Sequence, residues 1–529
     1  MADTRGGVFF SYVRTEYRLA EPLIAALRAQ GLRVFVDRHD VRDFSSISES
    51  LSGALAESTL LVALYSPAYL SRSSCNFELT AAFLAGQREG DPCRRIAVIS
   101  PTSSFEHVHP MELRDRRSFS LADHLGREDE LAAAIARRAG EVGGTIGPPP
   151  EGGGVRWFPA PPLGRPEFQP FRRRLWEAHS ALRPGAASYH TGRWEGGSAW
   201  VSSLDAGTAT AFCHAYAFQF GAAYPGGVYW LDLAGEAGDA AQGYARRVRE
   251  LARAAGAGDG SAADPVELHL SRIAERMDRD GGRSLWVVDG LPGAAPEAHR
   301  PLRNPHPSGS TLLTGFGRGG DGLGEEVDIT DTGEQAALEL LTRDHGPIGR
   351  PGGEERAAEQ VVRLLGGTPV ALSAARRLLP SAPAEIRYQQ LEQDLRDPGH
   401  DVLDYDPAYR GLADRLCADV AALPEEARAL VVWACRRAPR PVRAADLAQG
   451  LAVLGGTGGD DARRRVTRLL AVLADRPYAR VGPEGLAVSA FLARALERRY
   501  PDRALREKYG RVWEEAANRG RMTSMGASR

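Results

Sequence analysis

The sequence predicts an α/β protein with two parallel, doubly wound sheets in succession and a helical region after them. Short apolar runs that end in polar clusters alternate with helical-period segments, first in residues 1–143 and again in residues 163–395. From about residue 396 onward, helical segments follow one another almost without interruption. Alternation of strands and helices is typical of a parallel sheet with helices on both faces, whose ligands bind at the carboxyl ends of the strands.

The size and composition are those of an ordinary multidomain globular protein. A length of 529 residues predicts roughly three domains. With 43% apolar and 25% charged residues, each domain can bury a core. The net charge of −2 gives no bulk electrostatic reason to expect binding to nucleic acid or to a membrane surface.

The remaining composition features concern the compartment. No apolar run approaches the roughly 20 residues that a membrane helix needs, and we expect no signal peptide. The five cysteines are dispersed and lack the spacing of a metal site, so a reducing compartment is favoured over a disulfide scaffold. We therefore expect a cytoplasmic protein without a bound metal.

The first region, residues 1–143, contains the elements of a five-stranded parallel sheet. Each strand is a short run rich in apolar residues, and a closing helix follows the last one. The predicted strands lie at Val8–Tyr12, Leu32–Asp37, Leu60–Pro67 (with the polar cluster at its end), Arg95–Ile99 and Arg117–Leu121, and the closing helix lies at Glu128–Gly140.

Residues 144–162 are rich in glycine and proline and are predicted to be a linker. The second region, residues 163–395, repeats the strand and helix alternation. Its predicted strands are Ser198–Leu204, Gly227–Leu233, Ser284–Asp289 and Ser310–Thr314, with later helices at Gly333–Thr342, Glu354–Leu365 and Pro369–Leu379.

The third region, residues 396–529, is predicted to be helical with one small hairpin. Helices are expected at Tyr409–Leu423, Glu425–Arg436, Val442–Gly450 and Ala462–Asp475, and the hairpin at Ala479–Val488. Helices followed by a short hairpin suggest a winged helix. No repeat of 30 to 45 residues is found in the sequence, so a solenoid sensor is not expected.

The first region resembles the TIR domain family. The resemblance rests on the Ser11-Tyr12 box at the end of the first strand and on Cys75-Asn76-Phe77-Glu78-Leu79, which matches the family's Cys-x-x-Glu-Leu helix start. It implies a flavodoxin-like parallel sheet. It also implies that Glu78 occupies the position of the catalytic carboxylate of the family members that cleave NAD+.

A single carboxylate suits that chemistry. Cleavage of the nicotinamide–ribose bond passes through an oxocarbenium-like centre, which a nearby carboxylate stabilises. The leaving group is already cationic and needs no proton. Under the resemblance, NAD+ lies over the strand ends at Ser11, Tyr12 and Asp37. Arg14 is a candidate for the pyrophosphate because a guanidinium matches phosphate oxygens, and Tyr12 and Phe35 are candidate aromatic walls.

Some residues of this region favour other interpretations. An acid in the first turn of a helix is stabilised by the helix dipole alone, by roughly 0.3–1 kcal/mol. Ser74 stands where the family usually has a tryptophan that stacks on nicotinamide. The segment Val41–Ser46 lacks the usual glycine of a loop that contacts neighbouring TIR subunits in active assemblies.

The second and third regions resemble the NB-ARC type of STAND nucleotide switch, a P-loop NTPase-like α/β domain followed by a winged helix. The resemblance rests on Gly164-Arg165-Pro166-Glu167, on the strand Tyr224–Asp232 and on Gly367–Leu372. Together the two resemblances describe a TIR–NB-ARC–winged-helix chain.

The segment that corresponds to the phosphate-binding loop of that switch lacks the residues that bind phosphate. In the stretch Val201–Thr210, the first glycine of the motif is Ser203, the second is Thr208 and the lysine is Ala209, while only Thr210 keeps its identity. The glycines normally let backbone N–H groups surround the phosphates and the lysine neutralises their charge.

Two further features of the region agree with this loss. Asp205 places a carboxylate where phosphate oxygens would lie, and the chain's one lysine, Lys508, is remote in sequence. Asp289 is a single acid at a point where the family usually has two. We interpret it as a residue that caps the end of its strand, in preference to a metal ligand. ATP and ADP are therefore not expected as cofactors.

The leading hypothesis is a TIR-type NAD+ glycohydrolase that is activated by self-assembly in bacterial immune-type signalling, with a nucleotide-independent pseudo-STAND module. Its partners would be further copies of the chain through the TIR domains, or a companion immune protein. The alternative is a non-catalytic TIR adaptor that partners an active TIR or STAND protein. Hydrolysis and cyclisation of the product both stay open, and so does the trigger.

Overall fold

The structure is a computed structural model. It describes residues 7–36, 49–116, 118–148, 155–160, 171–183, 196–234, 240–258, 261, 264–280, 283–291, 302–317, 324–343, 353–379, 387–397, 401–456, 458–499 and 507–515. By its contacts the chain divides into one unit of residues 1–199, 212–288 and 300–312 and a second of residues 200–211, 289–299 and 313–529. Within the described residues, no helix combines the length and the apolar character that crossing a membrane requires.

The first sheet has five strands in the order β2-β1-β3-β4-β5, and all its neighbouring strands run parallel. Strands β1, β3 and β4 are almost completely buried, because a parallel sheet is covered on both faces. This arrangement confirms the predicted parallel sheet. The strands are β1 Val8–Tyr12, β2 Val34–Val36, β3 Leu60–Leu64, β4 Ile96–Ser100 and β5 Ser118–Ser120.

Helices cover this first sheet. Leu23, Ile24 and Leu27 of α1 and Leu131 and Ile135 of α5 belong to one hydrophobic core with the side chains of β1 and β3. Helix α3 contacts β1, β3 and β4. The helices are α1 Tyr17–Ala29, α2 Glu49–Glu57, α3 Ser73–Arg88, α4 Glu112–Arg116 and α5 Glu128–Val142.

The second sheet has six strands in the order β11-β7-β10-β9-β8-β6. Its edge strand β6 lies in the stretch that the sequence predicts to be a linker, and Trp157 and Phe158 pair in parallel with Val228 and Tyr229 of β8. The sequence pattern predicts neither β6 nor β11. The strands are β6 Trp157–Phe158, β7 Ser198–Ser203, β8 Gly227–Asp232, β9 Ser284–Leu291, β10 Ser310–Phe316 and β11 Glu325–Asp328.

The remaining described elements are mostly helices, so the C-terminal part is helical as predicted. Those associated with the second region are α6 Arg172–Ala181, α7 Ala206–Phe220, α8 Ala240–Ala254, α9 Val266–Arg279, α10 Glu334–Thr342, α11 Glu354–Leu365, α12 Pro369–Leu378 and α13 Tyr388–Arg396. The third region contains α14 Pro407–Ala422, α15 Glu425–Cys435, α16 Ala444–Gly455, α17 Gly459–Ala474 and α18 Ala490–Arg499.

The predicted hairpin is present in this helical region. Strands β12 Ala479–Gly482 and β13 Gly485–Val488 pair antiparallel between α17 and α18. The assignment of the region as a winged helix stays a prediction.

Candidate active site on the first sheet

The end of β1 and the start of α3 are joined by side-chain contacts. Ser11, almost fully buried, has its hydroxyl oxygen 2.6 Å from that of Tyr69, which lies in the short turn between β3 and α3. The Cys75 thiol donates to the Tyr12 carbonyl oxygen, with 3.6 Å between sulfur and oxygen. The structure thus brings the Ser-Tyr box and the start of α3 together.

Glu78 lies one and a half turns into α3 and is 2% exposed. It is not in the first turn, which begins at Ser73, so the helix dipole does not explain it. Burial raises the pKa of the Cys75 thiol far above its usual range, and the Glu78 carboxylate adds to that shift. Burial also raises the pKa of Tyr69, with further contributions from Cys75 and Glu78. Glu78 is therefore grouped with Cys75 and Tyr69 at this edge of the sheet.

The other residues predicted to contact the ligand lie at separate positions around this end of the sheet. Arg14 is exposed on the short 3-10 turn after β1. Phe35 lies on the edge strand β2, half-buried, with the Arg33 guanidinium carbon 4.3 Å from the centre of its ring. Ser74 is half-buried in the first turn of α3. Asp37 and the segment Val41–Ser46 lie outside the described residues.

Sequence reasoning missed two residues at this edge, Tyr69 and Glu16. Glu16 is half-buried beside Ser66, Arg72 and His107, and burial raises the pKa of its carboxyl above the usual value. Its signal in the sequence is an acid two positions after Arg14, directly behind the Ser-Tyr box. The carboxyl end of the first sheet therefore carries a second acid in addition to Glu78.

The burial of Glu78 limits what the described arrangement can do. A carboxylate stabilises an oxocarbenium-like centre only by lying next to the ribose, with water excluded. At 2% exposure Glu78 cannot reach a ribose from outside the domain. In the described arrangement the Glu78 carboxylate is therefore closed to a ligand.

The predicted degenerate nucleotide site is filled by the chain's own groups. The Thr208 backbone N–H donates to Oδ1 of Asp205 over 2.7 Å, so the carboxylate occupies the N-terminus of α7. The Ser203 hydroxyl donates to the Asp205 carbonyl oxygen over 2.9 Å and fixes the loop. Ala209, at the position of the motif's lysine, is buried. A helix N-terminus of this kind is where a phosphate would bind.

The Asp289 carboxylate is engaged on both oxygens. The Thr210 hydroxyl donates to Oδ2 over 2.7 Å and the Thr314 hydroxyl donates to Oδ1 over 2.6 Å. Strand β9 continues beyond Asp289 to Leu291, so this residue is not the predicted strand-end cap. Among the residues that the structure describes, no group of three or more His, Cys, Asp and Glu side chains could hold a metal ion.

Comparisons with known proteins agree with the first sheet. Residues 8–137 match the family of the TIR domain. No curated protein matches the chain. Among solved structures, the chain is similar to Cdc6p from Pyrobaculum aerophilum, with 11% identity and a TM-score of 0.30, over 67% of this chain and 97% of that chain. It is also similar to the Aeropyrum pernix Orc1 protein in complex with DNA, with 15% identity and a TM-score of 0.23, over 68% and 96%. The family match, the five parallel strands and the residues at their ends together identify residues 8–137 as a TIR domain.

Proposed function

We propose that this chain is a TIR-type NAD+ glycohydrolase, activated by self-assembly, in bacterial immune-type signalling that answers phage infection or causes cell death. The supporting observation is Glu78, which lies in a TIR domain beside Cys75 and Tyr69 where α3 meets the end of β1. The TIR family includes enzymes that hydrolyse NAD+, and Glu78 matches their carboxylate.

In this mechanism the roles are divided among a few side chains. Glu78 stabilises the positive charge that develops on the ribose as nicotinamide leaves. Arg14, exposed on the turn after β1, provides donors for the pyrophosphate. Tyr12 contributes an aromatic wall. Because Glu78 is buried in the described arrangement, catalysis requires an opening step, and assembly of TIR domains is a natural trigger for it.

The proposal includes a pseudo-STAND module that works without nucleotide. The Asp205 carboxylate sits on the N–H group of Thr208, and both oxygens of Asp289 accept hydroxyl donors. A nucleotide would have to displace these bonds and bring its own negative charge close to Asp205. This second region therefore acts as a scaffold for the TIR domain.

A second candidate function is a non-catalytic TIR adaptor that partners an active TIR or STAND protein. Two observations favour it: Glu78 is 2% exposed, and Ser74 offers no aromatic surface for nicotinamide. In that role the TIR domain would join an assembly whose catalysis belongs to the partner.

Nicotinamide release from NAD+ separates the two functions. We expect release that rises more steeply than in proportion to protein concentration, and a loss of at least about 100-fold in Glu78→Gln, because the transition-state charge loses its partner. Glu130→Gln is the matched control, since Glu130 also lies near the start of a helix but is exposed and distant in sequence. Equal release by wild type and Glu78→Gln would leave the adaptor as the function.

A further inference from the structure

The outer face of α3 is covered by the chain itself. Trp176 of α6 is fully buried and packs edge-on against Phe83 of α3, with ring centroids 5.1 Å apart. Phe220, at the end of α7, packs on the other side of Trp176 at 4.9 Å. The helix that carries Glu78 thus lies between the first sheet and an aromatic cluster from the region that follows the TIR domain.

A closed chain of hydrogen bonds runs along the same face. The Trp176 ring N–H donates to the Asn76 side-chain oxygen over 2.9 Å, and the Asn76 amide donates to Gln219 over 3.2 Å. The Gln219 amide donates to the Thr80 hydroxyl over 3.2 Å. The Thr80 hydroxyl in turn donates to the Asn76 backbone carbonyl oxygen over 2.7 Å, which closes the set of bonds. The side-chain amides of Asn76 and Gln219 each use both their oxygen and their nitrogen in these bonds. The contact between the helices therefore has one specific register.

The start of α3 is held as well. Arg172 of α6 donates to the Ser71 carbonyl oxygen and, over 2.8 Å, to the Ser73 hydroxyl. Ser71 and Ser73 bracket the entry into α3, immediately before Ser74 and Cys75. Helix α6 therefore contacts α3 at its entry and along its outer face, and Glu78 lies on the part of α3 between those contacts.

These contacts suit a reversible restraint. Interfaces between regions of one chain that are rich in hydrogen bonds separate more readily than purely apolar ones, because water can replace the lost partners. The hydrophobic core formed by α1, α5 and the strands contains no residue of α6, so the α6 contacts lie outside that core. What the contacts fix is the position of α3.

We propose that α6 is an intramolecular restraint that holds α3, and Glu78 with it, in the buried position, and that release of α6 from α3 opens the site. This restraint would regulate the proposed NAD+ cleavage, and its test by nicotinamide release rests on that proposed function. It predicts that weakening the contact raises nicotinamide release at protein concentrations where the wild type is nearly silent.

Two variants weaken the contact and one serves as the control. Trp176→Phe keeps the aromatic packing and removes the N–H donor, and Arg172→Ala removes the bonds to Ser71 and Ser73. Arg173→Ala is matched, because Arg173 is the next residue on α6, is 63% exposed and pairs with Glu177 of the same helix. For the first two we expect about fivefold faster release, the change that loss of one buried hydrogen bond implies.

Opening is also measured without NAD+, by alkylation of Cys75 followed by mass spectrometry of its peptide. Cys75 is 2% exposed and touches the end of β1, so its alkylation reports movement of α3. We expect about fivefold faster alkylation in Trp176→Phe and Arg172→Ala and the wild-type rate in Arg173→Ala. Cys213, buried on α7 in the same unit as α3, reports unfolding of that unit and should keep its wild-type rate.

The outcomes separate the restraint from the proposed enzyme. Faster alkylation of Cys75 without nicotinamide release from any variant would support the restraint and remove the glycohydrolase. Unchanged alkylation of Cys75 in both weakened variants would overturn the restraint, whatever the wild type does with NAD+. An equal rise at Cys213 would also overturn it, because the variants would then be unfolding instead of opening.

Discussion

Asp205 shows how one side chain decides the character of a whole loop. At the start of α7 its carboxylate accepts the Thr208 N–H, which is the bond that a capping residue makes and also the bond that a phosphate would need. The sequence suggested electrostatic repulsion of phosphate by this residue. The structure adds direct occupation of the donor, which no sequence pattern specifies because it depends on the side-chain torsions.

The capping role predicts the effect of replacing Asp205. In Asp205→Ala the Thr208 N–H loses its acceptor, and the free energy of unfolding should fall by about 1 kcal/mol. Asp205→Ser keeps an acceptor oxygen and should lie within a few tenths of a kcal/mol of wild type. Urea unfolding measures both. Equal losses in the two variants would show that the carboxylate is not acting as a cap.

Asp401 and Arg494 form a buried ion pair, and replacing one of the two residues should cost more stability than replacing the cap at Asp205. Asp401 accepts from Arg494 over 2.8 Å and from the Tyr409 hydroxyl over 2.7 Å, and both charged residues are less than 10% exposed. Replacing the acid leaves a buried guanidinium without its charge partner. Asp401→Asn should therefore cost about 3–5 kcal/mol, whereas Asp460→Asn, in the exposed pair with Arg463, should cost less than about 1 kcal/mol in the same urea titration.

The same pair predicts a pH dependence. Burial acts to raise the pKa of Asp401, but the bonds from Arg494 and Tyr409 outweigh it and hold that pKa below the usual value. A lowered pKa in the folded state contributes stability above about pH 4, and this contribution is lost as the pH falls through the folded-state value. The urea midpoint should therefore drop on acidification below about pH 4, and drop less in Asp401→Asn. Parallel curves for the two proteins would contradict this assignment.

Among the elements, the buried strands were the most predictable from sequence. Strands β1 and β3 are continuous apolar runs because both faces of a parallel sheet are covered. Both begin where the sequence places them, β1 also ends there, and β3 ends at Leu64, before the polar residues of its predicted run. Strand β6 has only two residues inside a Gly/Pro-rich stretch, and its pairing with β8 is long-range. Strand β11 reads Glu-Glu-Val-Asp, a pattern that local propensity alone assigns to a loop.

Helix packing makes a glycine necessary in α16. A Cβ atom built at Gly450 would come within 2.8 Å of the Trp433 ring, and Trp433 of α15 is fully buried. Gly450→Ala should therefore destabilise the chain by about 1–3 kcal/mol, although alanine is the better helix former. Gly411→Ala in α14 is the control, because its Cβ meets nothing within 4 Å.

Thermal unfolding distinguishes the two substitutions. Gly411→Ala should raise the melting temperature slightly, since replacing glycine in a helix interior contributes about 0.5–1 kcal/mol. Gly450→Ala should lower it. A stabilised Gly450→Ala variant would mean that Trp433 can move aside and that the close approach of α15 and α16 is not a constraint.

At the scale of the whole chain, the sequence located Glu78 but not its surroundings. The position follows from a local pattern of five residues in α3, which a family resemblance can recognise. Its burial and the hydrogen-bond chain to Trp176 and Gln219 join residues about 100 and 140 positions apart in sequence, a separation that no periodicity reports. The regulation inferred for this site therefore had to come from the fold.

The nucleotide-independent scaffold predicts how the full chain responds to ATP and ADP. A ligand that binds the folded state stabilises it by RT ln(1 + [L]/Kd), or about 2.7 kcal/mol at 100 times Kd. With Asp205 on the α7 terminus and Ala209 in place of lysine, neither nucleotide should give a saturable shift at millimolar concentration, with or without Mg²⁺. Differential scanning fluorimetry of wild type and Asp205→Ser measures the shift in melting temperature that each nucleotide causes. Saturable stabilisation of wild type by more than about 2 kcal/mol would show that the second region is still a nucleotide switch, and a shift confined to Asp205→Ser would identify the carboxylate as the block.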